Sequence, residues 1–280
     1  MELVLISGLS GSGKSVALNL LEDAGFYCVD NLPVVMLTVL IDMLRQEKIS
    51  KVAVGIDARS GDGIELLPER LRQLEKNGVR YSFLFLQAGE ETLIKRYSES
   101  RRRHPLTTEN RTLEEAIRRE SELLAPLAEL GHRIDTSDLK ANALRDWVRQ
   151  FISGTGEGGL TLLFQSFGFK HGLPLDADLV FDVRCLPNPF YDLALRPLTG
   201  RDAPVIAFLE ASPDVLRMRR DIARFVADWL PSYVRDNRSY LTVGIGCTGG
   251  QHRSVYLAET LCREFAGQAP RVLVRHRGLA

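Results

Sequence analysis

The apolar run Leu3-Val4-Leu5-Ile6-Ser7 passes directly into Gly8-Leu9-Ser10-Gly11-Ser12-Gly13-Lys14-Ser15, and this junction constrains the fold more than any other string in the chain. A short continuous apolar run closed by glycine reads as a buried strand. The segment Lys14–Ala24 follows with Val16, Ala17, Leu20 and Leu21 on one face and Gly25 as its stop, so it reads as an amphipathic helix. Between them the glycines let backbone N–H groups turn inward, where a Cβ would block an approaching anion. The arrangement is the Walker A phosphate loop, spanning Gly8, Leu9, Ser10, Gly11, Ser12, Gly13, Lys14 and Ser15. The helix adds its positive dipole end. Lys14 is expected to reach the β- and γ-phosphates of a nucleoside triphosphate, and the Ser15 hydroxyl to hold Mg²⁺.

The rest of the first half repeats strand and helix. Strands are expected at Phe26–Val29, Lys51–Ile56, Tyr81–Leu86 and His132–Ile134. Helices are expected at about Val35–Gln46, Leu66–Lys76, Glu90–Arg102, Leu113–Leu130 with a weak point at Pro126, and Asp138–Phe151. Ser60-Gly61-Asp62-Gly63 marks a loop. Such alternation implies an α/β fold with a parallel sheet wound by right-handed crossovers. In phosphate-loop proteins a second carboxylate on the magnesium side ends a neighbouring strand. Asp57 is the candidate, with Asp30 as competitor, and either is equally the residue type that caps a helix or forms a turn. Arg59 is placed to touch phosphate or to pair with Asp57. Lys95, Arg96, Arg101, Arg102 and Arg103 form either a basic lid over the γ-phosphate or a solvated helix face matched by Glu90, Glu91 and Glu99.

Gly-rich residues 153–159 separate a phosphate-loop domain, 1–152, from a second α/β domain, 160–280. The second half has expected strands at Thr161–Phe167, Leu179–Val183, Tyr240–Ile245 and Arg271–Val274, and helices at about Ser212–Trp229 and Arg253–Phe265. The net charge of +0 argues against a protein built wholly around nucleic acid, although Arg outnumbers Lys 29 to 7. Four scattered cysteines without a CxxC pair argue against a disulfide framework or a zinc cluster and fit a reducing cytoplasm. No apolar stretch is long enough to span a bilayer, and the N-terminus reads as a strand and not as a signal peptide.

Gly244-Ile245-Gly246-Cys247-Thr248-Gly249-Gly250-Gln251-His252-Arg253-Ser254 again joins a strand to a helix. The frame from Cys247 to Arg253-Ser254 fits the anion loop of cysteine phosphatases, in which a thiolate attacks phosphate and Arg clamps its oxygens. Gly246 stands where those enzymes usually have His, and no acid partner is evident. Binding is therefore expected over catalysis, with the amides of 248–252, His252 and Arg253 around a phosphate and Cys247 packed beneath. Parallel topology would bring Lys170, His171, Asp182 and Arg184 to the same edge. Arg271, Arg275 and Arg277, with no acid after Glu264, form a basic patch compatible with an RNA backbone or with plain exposure.

Several strings together resemble one family. They are Gly8 to Ala17, Gly25-Phe26-Tyr27-Cys28-Val29-Asp30-Asn31-Leu32-Pro33, Ser166-Phe167-Gly168-Phe169-Lys170-His171-Gly172, Phe181-Asp182-Val183-Arg184 with Leu186-Pro187-Asn188-Pro189, and Gly246-Cys247-Thr248-Gly249-Gly250 with His252-Arg253-Ser254. They resemble the RapZ/YvcJ family of bacterial RNase adapters and nucleotide-binding proteins, from end to end. The resemblance implies a cytoplasmic ATPase and GTPase with ATP at Gly8–Ser15 and GTP at Asp57, Ala58, Arg59 and Ser60. It also implies a C-terminal domain like part of phosphofructokinase that senses glucosamine-6-phosphate, for which the edge read above, Lys170, His171, Arg184 and Cys247–Arg253 (Thr248, Gly249, Gly250 and His252 included), is the candidate site. It further implies small-RNA binding, an endoribonuclease partner and a homo-oligomer. The enterobacterial pattern carries a Lys/Arg-rich tail, whereas this chain ends in Arg275-His276-Arg277-Gly278-Leu279-Ala280. The competing expectations are a small-molecule kinase, resting on the phosphate loop and basic lid, and a cysteine phosphatase, resting on Cys247 and Arg253.

Overall fold

The computed structural model describes residues 1–60, 63–152, 160–236, 238 and 240–279. The Gly-rich 153–159 segment and Gly61-Asp62 of the expected loop lie outside them. The chain divides into two compact units, Met1–Gly156 and Glu157–Ala280.

The first unit follows the order β1 (Glu2–Gly8), α1 (Lys14–Asp23), β2 (Tyr27–Val29), α2 (Leu37–Gln46), β3 (Lys51–Gly55), α3 (Leu67–Lys76), β4 (Arg80–Gln87), α4 (Glu90–Ser100), α5 (Leu113–Ala128), β5 (His132–Asp135) and α6 (Ala141–Ile152). All five strands are parallel, in the order β2-β3-β1-β4-β5. β1 is central and its core residues Leu3 to Ile6 are fully buried, as its unbroken apolar run requires. The chain leaves β1 toward β2 and β3 on one side and later returns to β4 on the other. The crevice at the carboxyl end of β1 is therefore where such a sheet opens a ligand site.

Local signals set most boundaries. Gly25, at φ 83°, adopts the left-handed conformation that ends α1. Thr112 caps α5 in a reciprocal capping box with Glu115. Pro126 sits within the last turn of α5 without ending it before Ala128. α4 stops at Ser100 and not Arg102, because Arg101 turns to φ 52°. α6 starts at Ala141, three residues later than expected, since Ser137 and Asp135 close a turn ahead of it.

The second unit runs β6 (Thr161–Gly168), β7 (Leu179–Asp182), α7 (Ala203–Glu210), α8 (Pro213–Arg235), β8 (Tyr240–Cys247), α9 (Arg253–Glu264) and β9 (Arg271–His276). Its sheet is also parallel, ordered β7-β8-β6-β9. β6 is buried at every position, while β7 and β9 form the edges. The helix α7 has no counterpart in the sequence reading. Its string APVIAFLE is apolar on most sides, with no 3.6-residue period to betray it. Register sets Gly168 beside Cys247 and Asp182 beside Gly246, so three strand ends meet at one edge.

Candidate functional site

In the first unit the loop from Gly8 to Gly13 takes positive φ at Gly8, Gly11 and Gly13. Steric need agrees with conformation. A Cβ on Gly8 would stand 2.0 Å from the Leu86 carbonyl oxygen, and one on Gly13 would stand 2.6 Å from a methyl of Leu144. Lys14 is buried and its Nζ donates to the Gly8 carbonyl at 2.7 Å, so the ammonium rests on its own loop. Burial pushes the Lys14 pKa below its ordinary value, against the opposing pull of Asp57 and Glu120. The Ser12 hydroxyl is buried with no hydrogen-bond partner, and Ser15 is exposed at the helix start. An unsatisfied hydroxyl inside a glycine cradle fits a phosphate oxygen as the missing partner.

The loop is also held from outside, by Arg96 of the expected basic lid and by three residues that sequence reasoning did not single out, Glu120, His104 and Thr136. Glu120, on α5 and fully buried, accepts from the Ser10 N–H at 2.8 Å and the Ser10 hydroxyl at 2.7 Å. His104 Nε2 lies 3.1 Å from the same carboxylate. The Leu106 N–H donates to His104 Nδ1, which makes Nε2 the nitrogen that carries the proton toward Glu120. Burial tends to raise the Glu120 pKa, but His104, Ser10 and Lys14 together hold it below the usual carboxylate range. Arg96 donates to the Gly11 carbonyl at 3.0 Å and to the Thr136 carbonyl, and Thr136 Oγ1 donates to the Ser12 carbonyl at 2.9 Å.

Of the two candidate carboxylates, Asp57 is buried and Asp30 exposed. Asp57 lies 3.9 Å from Lys14 Nζ and takes the Arg59 N–H at 2.9 Å and Arg59 Nη2 at 2.7 Å. Burial works to raise its pKa, and Arg59 and Lys14 outweigh it, leaving Asp57 below the usual carboxylate range. Arg59 also donates to Asn31 Oδ1, so the residues after β3 are tied to those after β2. Ala58–Ser60 forms a short 3-10 turn. A cavity of about 340 Å³ opens over the loop, and its lining includes Lys14, Ser15, Asp30 and Arg59 together with Arg96, Tyr97, Arg102 and Arg103. The basic segment thus divides, because Lys95 and Arg101 do not line this cavity.

In the second unit the loop after β8 is as tight. A Cβ on Gly246 would meet the Phe167 and Phe169 rings at 2.5 Å, which excludes a larger residue there. Cys247 is 3% exposed, and its Sγ accepts from the Gly250 N–H at 3.2 Å and lies 3.1 Å from the Ser254 hydroxyl. Burial would raise the thiol's pKa, but the Ser254 and Gly250 contacts and the Arg253 charge bring it below the ordinary value. Arg253 is 4% exposed. Its Nη1 donates to the Arg184 and Leu186 carbonyls at 2.8 and 3.0 Å, and Nη2 to Thr248 Oγ1 at 3.4 Å. Its Nε has no hydrogen-bond partner.

The other expected residues of this region are brought near with unequal freedom. Lys170 and His171 are exposed in the turn after β6, and the Lys170 N–H donates to the Thr248 carbonyl at 3.2 Å. Arg184 pairs with Asp182 at 2.7 Å and lies over the Phe169 ring at 4.0 Å. His252 is buried and turns Nε2 to the Leu195 carbonyl at 3.2 Å, away from a ligand role; burial lowers its pKa. Arg271 and Arg277 are half-buried on or after β9. Arg275 departs from the expectation of a surface contact. It is 6% exposed, faces inward on β9, and burial brings its pKa down to about 10 despite the nearby Asp176.

Among the described residues no helix is long and apolar enough to cross a membrane. Residues 1–156 match the RapZ-like N-terminal domain and residues 160–280 the RapZ C-terminal domain. The chain is 71% identical to a protein of Dechloromonas aromatica described as a nucleotide-binding protein, over all of this chain and 99% of that one. It is 63% identical to another so described from Azoarcus sp., over all of this chain and 96% of that one. Among solved structures, a shikimate kinase from Bacteroides thetaiotaomicron aligns with 54% of this chain and 98% of its own, at 12% identity and a TM-score of 0.39. With both of its units matched and full-length relatives at this identity, the chain belongs to the RapZ family.

Proposed function

We propose that the chain is a nucleotide-binding regulator that hydrolyses ATP and GTP slowly with Mg²⁺ at the first loop and holds a phosphorylated amino sugar, glucosamine-6-phosphate, at the second. The observation that carries the reading is Lys14 resting on the Gly8 carbonyl beside the unpartnered Ser12 hydroxyl. A triphosphate satisfies both, drawing Lys14 onto its β- and γ-oxygens while the loop amides take the β-phosphate. Mg²⁺ supplies charge neutralisation between the phosphates. Ser15 would ligate it, and Asp57 would hold it through its waters. Arg59 keeps Asp57 ionised for that task. Asp57–Ser60 is also the stretch that the family pattern assigns to GTP.

In the second unit Arg253 supports the sugar-phosphate reading, because it is anchored through Nη1 and leaves Nε without an acceptor, beside an Nη2 whose contact is Thr248 Oγ1 at 3.4 Å, so that one edge of the guanidinium can turn to a phosphate. Lys170, His171, Arg184 and the Thr248–Gly250 backbone complete the edge. Membership of the family supports the further proposal of an adapter role in the bacterial cytoplasm: a homo-oligomer that carries a small regulatory RNA, with Arg271 and Arg277 on its backbone, to an endoribonuclease. A second reading, a small-molecule kinase, has one observation in its favour, the exposed Asp30 carboxylate in the cavity beside the phosphate loop.

Purified protein given MgATP or MgGTP, with and without a panel of sugars, tests both readings. Slow release of nucleoside diphosphate that disappears in Lys14→Ala, with no phosphorylated sugar formed, is the expected result. Hydrolysis that persists in Lys14→Ala would remove the first loop as the site, and phosphorylated sugar would establish the kinase.

A further inference from the structure

The anion loop of the second unit contains a nucleophile as well as a cradle. Cys247 closes β8 at the base of the loop, and its Sγ meets two hydrogen-bonding groups, the Gly250 N–H at 3.2 Å and the Ser254 hydroxyl at 3.1 Å. Both belong to the chain that turns into α9, whose dipole end faces the same sulfur. The surroundings therefore solvate a thiolate, in which state Ser254 donates. Arg253 supplies the independent observation. It is 96% buried in the same loop, it is fixed by Nη1, and its Nε–H lacks an acceptor. A buried donor on a charged group is costly to leave unmade, so the arrangement calls for an anion oxygen. Nε and Nη2 lie along one edge of the guanidinium and match two oxygens of one phosphoryl group.

We propose that Cys247 accepts a phosphoryl group from activated phosphates, aryl or acyl, whose leaving groups depart as stable anions, and passes it to water. The proposal rests on the reading that this loop binds a phosphate dianion, and it goes beyond that reading by assigning the thiol a covalent role.

The class of donor follows from the proton inventory. The carboxylate that strand register sets beside the loop is Asp182, and it is locked to Arg184 at 2.7 Å. That contact holds Asp182 below the usual carboxylate range, so it has no proton to give. His252 is committed to the Leu195 carbonyl. A sugar phosphate must expel an alkoxide, which needs a proton, and it therefore stays bound intact. A phenolate or carboxylate needs none. In the first step Cys247 Sγ attacks phosphorus. The S–P bond forms as the P–O bond to the leaving group breaks, and the electron pair departs on the leaving oxygen while Arg253 holds two of the others. In the second step water attacks phosphorus and the S–P bond breaks. Its electron pair returns to Sγ, where Gly250 and Ser254 stabilise it, and the proton of the water passes to solvent with inorganic phosphate.

The test uses the full chain with p-nitrophenyl phosphate in the absence of nucleotide. Release of p-nitrophenolate is expected from the wild type and not from Cys247→Ser. Ser254→Ala should slow it by about 10²-fold, since one donor to the sulfur is lost. Acid-quenched wild-type protein should carry a mass gain of one phosphoryl group on the peptide containing Cys247, a readout independent of any variant's folding. Calorimetry with glucosamine-6-phosphate on the same samples separates the two layers. Sugar-phosphate binding without adduct or release overturns the covalent role and leaves the binding site standing. Loss of both overturns both. Release that persists in Cys247→Ser overturns the assignment of Cys247.

Discussion

The two loops proposed to hold anions share a plan and differ in how they are held. Each joins the carboxyl end of a parallel strand to the start of a helix and uses glycines where backbone or ring atoms leave no room for a Cβ. The first is braced by distant residues: Glu120 on Ser10, Arg96 on Gly11 and Thr136 on Ser12, at separations of 110, 85 and 124 residues. The second is braced in part from within, by Ser254 and Gly250 on Cys247 and by Arg253 Nη2 on Thr248. Arg253 Nη1 reaches further, to the turn after β7, Gln251 and His252 reach carbonyls of residues 195–198, and the Lys170 N–H donates to the Thr248 carbonyl. A loop braced from outside can be loosened without touching a ligand-binding group. In a loop braced by the arginine that is proposed to bind its ligand, structure and binding are expected to fail together.

The largest expected effect that tests this difference is at Glu120. Glu120→Ala strands the Ser10 N–H, the Ser10 hydroxyl and His104 Nε2 in a dry interior. Breaking such a buried group costs about 3–5 kcal/mol, read as a drop in the urea midpoint of the first unit's unfolding. The second unit's sugar-phosphate affinity should be unchanged. Glu120→Gln is milder but not neutral. It keeps an acceptor for Ser10 but turns an amide donor toward His104, whose Nδ1 is already occupied by the Leu106 N–H. The pH dependence has a fixed sign. Glu120 has a folded-state pKa below its unfolded value, so the unfolded chain binds more protons between the two. Its contribution is complete above the ordinary glutamate pKa of about 4.3 and is lost as pH falls through the folded value. Equilibrium unfolding as a function of pH should show a shallower acid dependence in Glu120→Gln than in wild type. Equal slopes would mean that Glu120 is not held ionised.

Arg253→Ala tests the second loop. Loss of its two backbone contacts and its oxygen clamp is expected to abolish glucosamine-6-phosphate binding in calorimetry. A hydrogen bond to a charged group contributes about 1.5–3 kcal/mol, so stability should fall too. Retained affinity would show that exposed Lys170 and the loop amides hold the anion by themselves, and would end the comparison as drawn.

Much of the fold was legible because its signals are local. β1, the phosphate loop and α1 lie within 23 consecutive residues, and Gly8, Gly11 and Gly13 carry their conformational reason with them. The Cys247–Ser254 loop was legible for the same reason. Glu120 was not, because Arg118, Arg119 and Glu122 around it make its helix read as one charged face, and only the packing of α5 under the first loop turns that one carboxylate inward. Arg275 was misread in the opposite direction. On an edge strand rich in arginine it looks like a surface contact, yet it is buried within reach of the Asp176 charge, a neighbour that sequence spacing does not reveal. Asp57 is preferred to Asp30 in the sequence on little more than position, since both simply end strands. The Arg59 bridge to Asp57 and Asn31 distinguishes them.

The smallest expected effect concerns that pair. Asp57 is buried, sits 3.9 Å from Lys14 and is kept ionised by Arg59. Asp30 is exposed, and its Oδ1 accepts the Asn31 N–H at 2.9 Å. A carboxylate that orients the waters of a bound metal typically matters by about 10- to 100-fold. Asp57→Asn should therefore lower Mg²⁺-dependent hydrolysis within that range, and it should raise the Mg²⁺ concentration needed for half-maximal rate. Asp30→Asn should change both by less, because water can replace an exposed carboxylate beside the cavity. Asparagine keeps the acceptor for the Arg59 N–H in the first variant, so the brace between β3 and β2 survives and the comparison reports on charge near the metal. Rate measurements across a Mg²⁺ titration give the order directly. A larger loss in Asp30→Asn would move the metal-side role to the end of β2, and would give the first loop a catalytic carboxylate on its open side where the second loop has only a locked one, Asp182.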